Sequence, residues 1–205
     1  MPELWVDTRQ VGGAFSVEEC ARRIIHYRYA EKACMTTEGA WASTTPSMKA
    51  KFSFGEHCYQ DSIHYYWLGQ RLPELRQLEG ADLEQPPTLR SSSLALPPNP
   101  EFEQFVEEMQ LQDEELLRIV GLYRVLKTHL AVYYRHHMTV TDPVCDGPTV
   151  RILQHILLEE EEHLKWGQAV YEEMADAPAK RRLALEWQMH LEELLAASGG
   201  VTGGR

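Results

Sequence analysis

The chain has 205 residues, 43% of them hydrophobic and 25% charged, and carries a formal net charge of −11 from 31 acidic and 20 basic side chains. That composition fills one domain with a real core and excludes a mainly disordered chain. The acidic balance argues against nucleic acid or an anionic membrane surface as a partner. No apolar run approaches the roughly 20 residues of a membrane span. MPELWVDTRQ has neither the basic start nor the apolar stretch of a secretory signal. Cys20, Cys34, Cys58 and Cys145 form no CxxC pair, so a cytoplasmic protein with reduced thiols is expected.

Residues 1–15 read as irregular, because Gly12 and Gly13 break any element. Ser16 with Glu19 forms a capping box that starts a first helix. Its apolar stripe runs through Val17, Cys20, Ile24, Tyr27, Cys34 and Met35, and it ends before the turn residues Ser43 to Pro46. A second helix is expected from about Ser47 to Leu72. Six of the eleven prolines then fall in residues 73–100, a crossover or functional loop rather than a helix. Asn99–Pro100 caps a third helix reaching to about His137, with a break near Gln112–Asp113. After the turn TDPVCDGP, a fourth helix runs from about Thr149 to Met174 and a fifth from about 179 to 196. The end, from Ser198 onward, is expected to be mobile. Helix, short turn, helix, long crossover, helix, short turn, helix is the order of an up-down four-helix bundle with one crossover, here with an extra C-terminal helix.

The fourth helix contains ILLEEEEHLKWGQ, whose apolar stripe (Leu153, Ile156, Leu157, Leu164, Gly167, Tyr171) also holds Glu160 and His163. An acid and an imidazole one turn apart can point at one cation, and burying them without a partner costs several kcal/mol, of order 2–7 for polar groups. Asp61 and His64 repeat this spacing in the second helix. Glu31 lies in the stripe of the first, and His129 in line with Leu122, Val125, Leu126, Val132 and Tyr133 in the third. Each of these residues also has an ordinary role open to it: a solvated face for Glu31 or the Glu160–His163 pair, a hydrogen-bonded core position for His129. The spacing favours convergence. Glu31 and Asp61 are centred on residue 46, and His129 and Glu160 on 144–145, both within short turns. In an antiparallel pair, residues equidistant from the turn lie at one height, here about 22 Å along the helix axis. Three carboxylates and three imidazoles therefore come to one level. His57, one turn before Asp61, is a packing residue, with a supporting donor or a spare ligand as the alternatives. His136 and His137 suit the negative end of a helix dipole.

This pattern resembles the ferritin-like di-iron carboxylate proteins, which supply a lone Glu from each of two helices and a Glu-x-x-His pair from each of the other two. The lone carboxylate here is Glu31, and the pairs are Asp61-Ser62-Ile63-His64 and Glu160-Glu161-Glu162-His163. The resemblance covers residues 16 to about 175. GEHCYQDSIHYYW followed by RLPELR is similar to uncharacterised ferritin-like proteins of bacteria. Two departures stand out. Asp61 replaces Glu, and His129 stands where that family has its second lone Glu, leaving three carboxylates to balance two divalent ions. The resemblance implies a ferritin-like metalloprotein with metal ligands Glu31, Asp61, His64, His129, Glu160 and His163. It also implies iron, two ions, with a single ion and manganese or zinc left open, and a di-metal oxidoreductase or oxygenase acting on a small molecule with O2. The partners expected are that small molecule and O2, neither nucleic acid nor membrane, with a homodimer open. No residue is assigned a catalytic role. The rival readings are a non-catalytic metal carrier and a metal-free helical interaction module.

Overall fold

The computed structural model describes residues 13–75 and 95–204. Among them every regular element is helical. The elements are α1 (Val17–Thr44), α2 (Met48–Leu75), α3 (Pro100–Gln110), α4 (Glu115–Ile119), a π-helical segment (Val120–Lys127), α5 (Thr128–Val140), α6 (Gly147–Met174), α7 (Pro178–Ala197) and a 3-10 turn (Gly200–Thr202). Among these residues, no helix is long and apolar enough to cross a membrane.

Local chemistry sets the boundaries. The Ser16 side chain accepts from the Glu19 amide at 3.1 Å, and that of Asn99 from the Phe102 amide at 2.9 Å with Pro100 following, so one orphan donor is satisfied at each start. The expected break after α3 is capped by Gln112, whose side-chain oxygen accepts from the amides of Asp113 and Glu114. Asp142 does the same for Val144 and Cys145 in the turn before α6. α2 runs past the expected end at Leu72, through Pro73, to Leu75. The remainder of the expected crossover falls largely on 76–94, outside the described residues.

α1 and α2, joined by only Thr45–Ser47, pack along each other. α6 lies against α2, the π segment and α5. α7 covers the outer side of the π segment and packs on α3. The core is continuous through Ile24, Tyr27, Phe54, Leu68, Phe102, Leu126, Leu130, Tyr134, Leu153 and Ile156.

The C-terminal end, expected as a mobile tail, is wound into a defined turn up to Gly204. Gly199, Gly200, Gly203 and Gly204 all adopt positive φ, a conformation open to glycine at little cost. They wind the chain back so that Val201 is buried. At Gly200 a Cβ would sit 2.6 Å from the His129 ring, so only glycine lets the backbone close there.

Candidate metal centre

Three helices and the π segment converge on one buried cluster. α1 places Glu31 and, two turns later, Glu38 on its inner face. α2 contributes His57, Asp61 and His64, and α6 contributes Glu160 and His163; all seven are buried. The inner faces keep the helical 3–4 residue rhythm, so these polar groups replace apolar residues within otherwise apolar stripes.

Lys127 lies at the middle. Its ammonium donates to both oxygens of Asp61 at 2.8 Å, to Glu160 Oε1 at 2.9 Å and to His163 Nδ1 at 3.1 Å, with Glu38 Oε1 at 3.7 Å. The lysine has no exposed surface. Beside it, the Glu31 carboxylate accepts from the Tyr134 hydroxyl on one oxygen and faces His64 Nδ1 at 3.3 Å with the other. His64 Nδ1 also lies 3.7 Å from Asp61 and 3.9 Å from Glu160. The Tyr123 hydroxyl donates to Glu38 at 3.1 Å and lies 2.8 Å from His57 Nδ1. It reaches them because Gly167 has no side chain: a Cβ there would meet Tyr123 at 2.4 Å.

The two imidazoles are presented alike. His64 turns Nδ1 into the cluster, while its Nε2 donates to Glu159 at 2.7 Å on the rim. His163 turns Nδ1 to Lys127, and its Nε2 donates to Gln60 at 2.7 Å. Holding one ring nitrogen through an outer acceptor so that the other faces inward is how proteins orient a metal-ligating histidine.

Electrostatics follow from burial and from Lys127. Burial would weaken the Lys127 ammonium, but Asp61, Glu160 and Glu38 override it and hold the lysine well above its ordinary range. Burial raises Asp61 to about 6 despite Lys127. It also raises Glu38 well above its ordinary value, with Asp61 adding to the effect. Burial would raise Glu160, but Lys127 together with His163 and His64 more than offsets it and holds the carboxyl below its usual range. His64 is lifted to about 9: burial lowers it, and Glu31, then Asp61 and Glu160, more than compensate. Burial, with His163 and Lys127, pushes His57 down to about 2.

The cluster fits a divalent cation. One ligand atom each from Glu31, Asp61, His64 and Glu160 lies within 4.8 Å of the other three. Among the described residues Glu38 Oε2 and Glu160 Oε2 are buried with no hydrogen-bond partner. Buried carboxylate oxygens are seldom left unpaired, and a hard cation with oxygen and imidazole ligands would satisfy them.

Of the six residues expected as ligands, the structure brings Glu31, Asp61, His64, Glu160 and His163 together. It does not bring His129, and this corrects the sequence expectation. His129 Nε2 accepts from the Val201 amide at 3.0 Å, its ring packs on Tyr133, and burial lowers it to about 4. The physical reason is that residues 120–127 are buried on nearly all sides. Between α6 and α7 this segment has two apolar faces, and the stripe containing His129 is the one turned to the C-terminal end. The inner face carries Tyr123, Lys127, Leu130 and Tyr134. Sequence reading missed Lys127, whose position equidistant with Glu160 from the second turn was a usable signal. It also missed Glu38, seven residues after Glu31 on one face.

A second buried group, Cys20, His137 and Asp146, also brings metal-capable atoms together. Here Asp146 already accepts from Thr141 at 2.8 Å, from His137 at 3.1 Å and from Arg71 at 3.3 Å. Burial holds the Cys20 thiol up at about 11. Unlike the first cluster, this group has no unpartnered carboxylate oxygen among the described residues.

Outside the cluster, a cleft of about 390 Å³ is bounded by Arg124, Thr128, Leu164 and Gln168, and it meets the cluster at Tyr123.

Comparison with family models, curated proteins and solved structures finds no match to this chain.

Proposed function

We propose that this chain is a metalloprotein of the ferritin-like type, binding iron or a similar divalent ion among Glu31, Asp61, His64, Glu160 and His163. We further propose that it acts as an oxidoreductase on a small molecule with O2. The observation that carries the metal reading is the matched presentation of His64 and His163. Each turns Nδ1 inward with Nε2 held by an outer acceptor, toward carboxylates that include a partnerless buried oxygen. A bound redox-active metal would supply one-electron and oxygen chemistry. The chain's own groups have definite tasks. Glu159 and Gln60 orient the imidazoles, and Tyr134 fixes Glu31. Burial excludes bulk water, and Tyr123, which donates to Glu38 and lies against His57, separates the cleft from both. The cleft beside Tyr123 is the place for the small molecule.

The test is metal per chain by elemental analysis after growth in iron- and manganese-supplemented medium, for the wild type and for the His64→Ala, His163→Ala double variant. Metal in the wild type and its loss in the variant are expected. Equal metal in both removes these ligands from the reading. The second reading is a metal-free bundle in which Lys127 is the permanent counter-ion. It draws on the three well-directed hydrogen bonds of the ammonium, and it predicts no metal and no anaerobic Fe(II) uptake by the wild type.

A further inference from the structure

The carboxylates and imidazoles of the cluster divide into two overlapping sets. One is Glu31, Asp61, His64 and Glu160, whose ligand atoms lie mutually within 4.8 Å. The other surrounds Lys127 Nζ: Asp61, Glu160 and His163 at 2.8–3.1 Å, and Glu38 at 3.7 Å. Each set holds three carboxylates and one imidazole, and Asp61 and Glu160 belong to both. Two cation positions sharing two bridging carboxylates have this composition, and the ammonium stands in one of them.

We propose that Lys127 is a tethered cation filling the second of two cation positions, so that the chain takes up one divalent ion where its ligand set would hold two. The inference rests on reading the cluster as a metal centre. An ammonium has three donors and no acceptor, and here the three are directed to Asp61, Glu160 and His163. Charge agrees. Ionised as ligands, with the imidazoles neutral, the four carboxylates Glu31, Glu38, Asp61 and Glu160 would balance two divalent ions. With the ammonium in place, one divalent ion leaves a single negative charge, whereas two would leave a buried positive excess. The lysine is also confined. It closes the π segment and has no exposed surface, so a second ion would have to strand the ammonium in the core. Short π-helical insertions recur at functional sites, and this one ends on the residue that enters the cluster.

The test is cobalt uptake. Chelator-stripped wild type and Lys127→Met are equilibrated anaerobically with Co(II), desalted and analysed for cobalt per chain, with circular dichroism checking the fold. One cobalt in the wild type and two in Lys127→Met are expected. Two cobalt in the wild type, or one in folded Lys127→Met, overturns the inference and leaves the metal reading standing. No cobalt in the wild type overturns the metal reading, and the inference with it. If Lys127→Met does not fold, Mn(II)-loaded wild type decides. The electron paramagnetic resonance spectrum of an isolated ion is expected, and that of an exchange-coupled pair overturns the inference.

Discussion

Two buried polar clusters lie at different levels of this molecule, both built from histidine and carboxylate around a basic side chain, and they differ in donor–acceptor balance. Around Asp146, the donors of Arg71, His137 and Thr141 meet the acceptors of one carboxylate. Around Lys127, three carboxylates share one ammonium, and two of their oxygens have no partner among the described residues. The first cluster is complete as it stands; the second has acceptors to spare. The residue types alone do not distinguish a structural knot from a cation site, whereas the count of donors against acceptors does.

The sharpest way to break this contrast is to remove a partner on the acceptor-rich side. Glu160→Ala strips Lys127 of one of its closest carboxylates. Leaving a buried charge short of a partner typically costs about 3–5 kcal/mol. Urea denaturation of metal-free protein is expected to show a loss of that size, and a change under 1 kcal/mol would place Glu160 in solvent contact instead.

Asp146→Asn tests the complete cluster. A loss of about 3 kcal/mol is expected from the broken Arg71 pair, with metal uptake unchanged. Its pH dependence has a definite sign. Burial would raise the Asp146 carboxyl, but bonds from His137, Thr149 and Thr141 lower it. The stabilisation is therefore present above the unfolded value of about 3.9 and is lost as pH falls below it. Denaturation midpoints of wild type and Asp146→Asn should converge in that acid range; a constant gap would show that the carboxylate charge is not what stabilises.

Glu159→Ala removes the acceptor that orients His64 without touching the inner ligands. A 10- to 100-fold loss of metal affinity, roughly 1.4–2.7 kcal/mol, is the size reported for such outer partners. Competition with a chromophoric chelator measures it, and unaltered affinity would deny His64 a ligand role.

The smallest effect belongs to His129→Ala. Losing one acceptor for the Val201 amide costs about 1 kcal/mol, and metal content should not move. Since burial lowers His129 to about 4, protons bind the unfolded chain first. Its contribution is therefore complete above about pH 6.5 and falls as pH drops toward 4. A fall in metal content in this variant would return His129 to the ligand set.

Much of this was legible in one dimension. Capping at Ser16 and Asn99, the break at Gln112 and the turn at 141–146 are local events, decided within a few residues. The all-helical class follows from them. The level match of Glu31, Asp61 and Glu160 was legible because a straight helix converts sequence distance into height at a constant rise. What stayed hidden depended on neighbours distant in sequence. Leu122, Val125 and Leu126 form as regular a stripe as the true inner face, because α7 and α6 each bury one side of that segment. Periodicity reports that a face is buried but not against what. That ambiguity exchanged His129 for Lys127, and with it a presumed ligand for a cation. The glycine-rich end likewise reads as loose until the positive-φ turn lays Val201 beneath His129. The sequence by itself determined the helices, their capped starts at Ser16 and Asn99 and the height of the carboxylates, since those depend on local bonding and a fixed rise. Only the tertiary structure decided which face of the central helix looks inward, and therefore that the carboxylates meet around an ammonium.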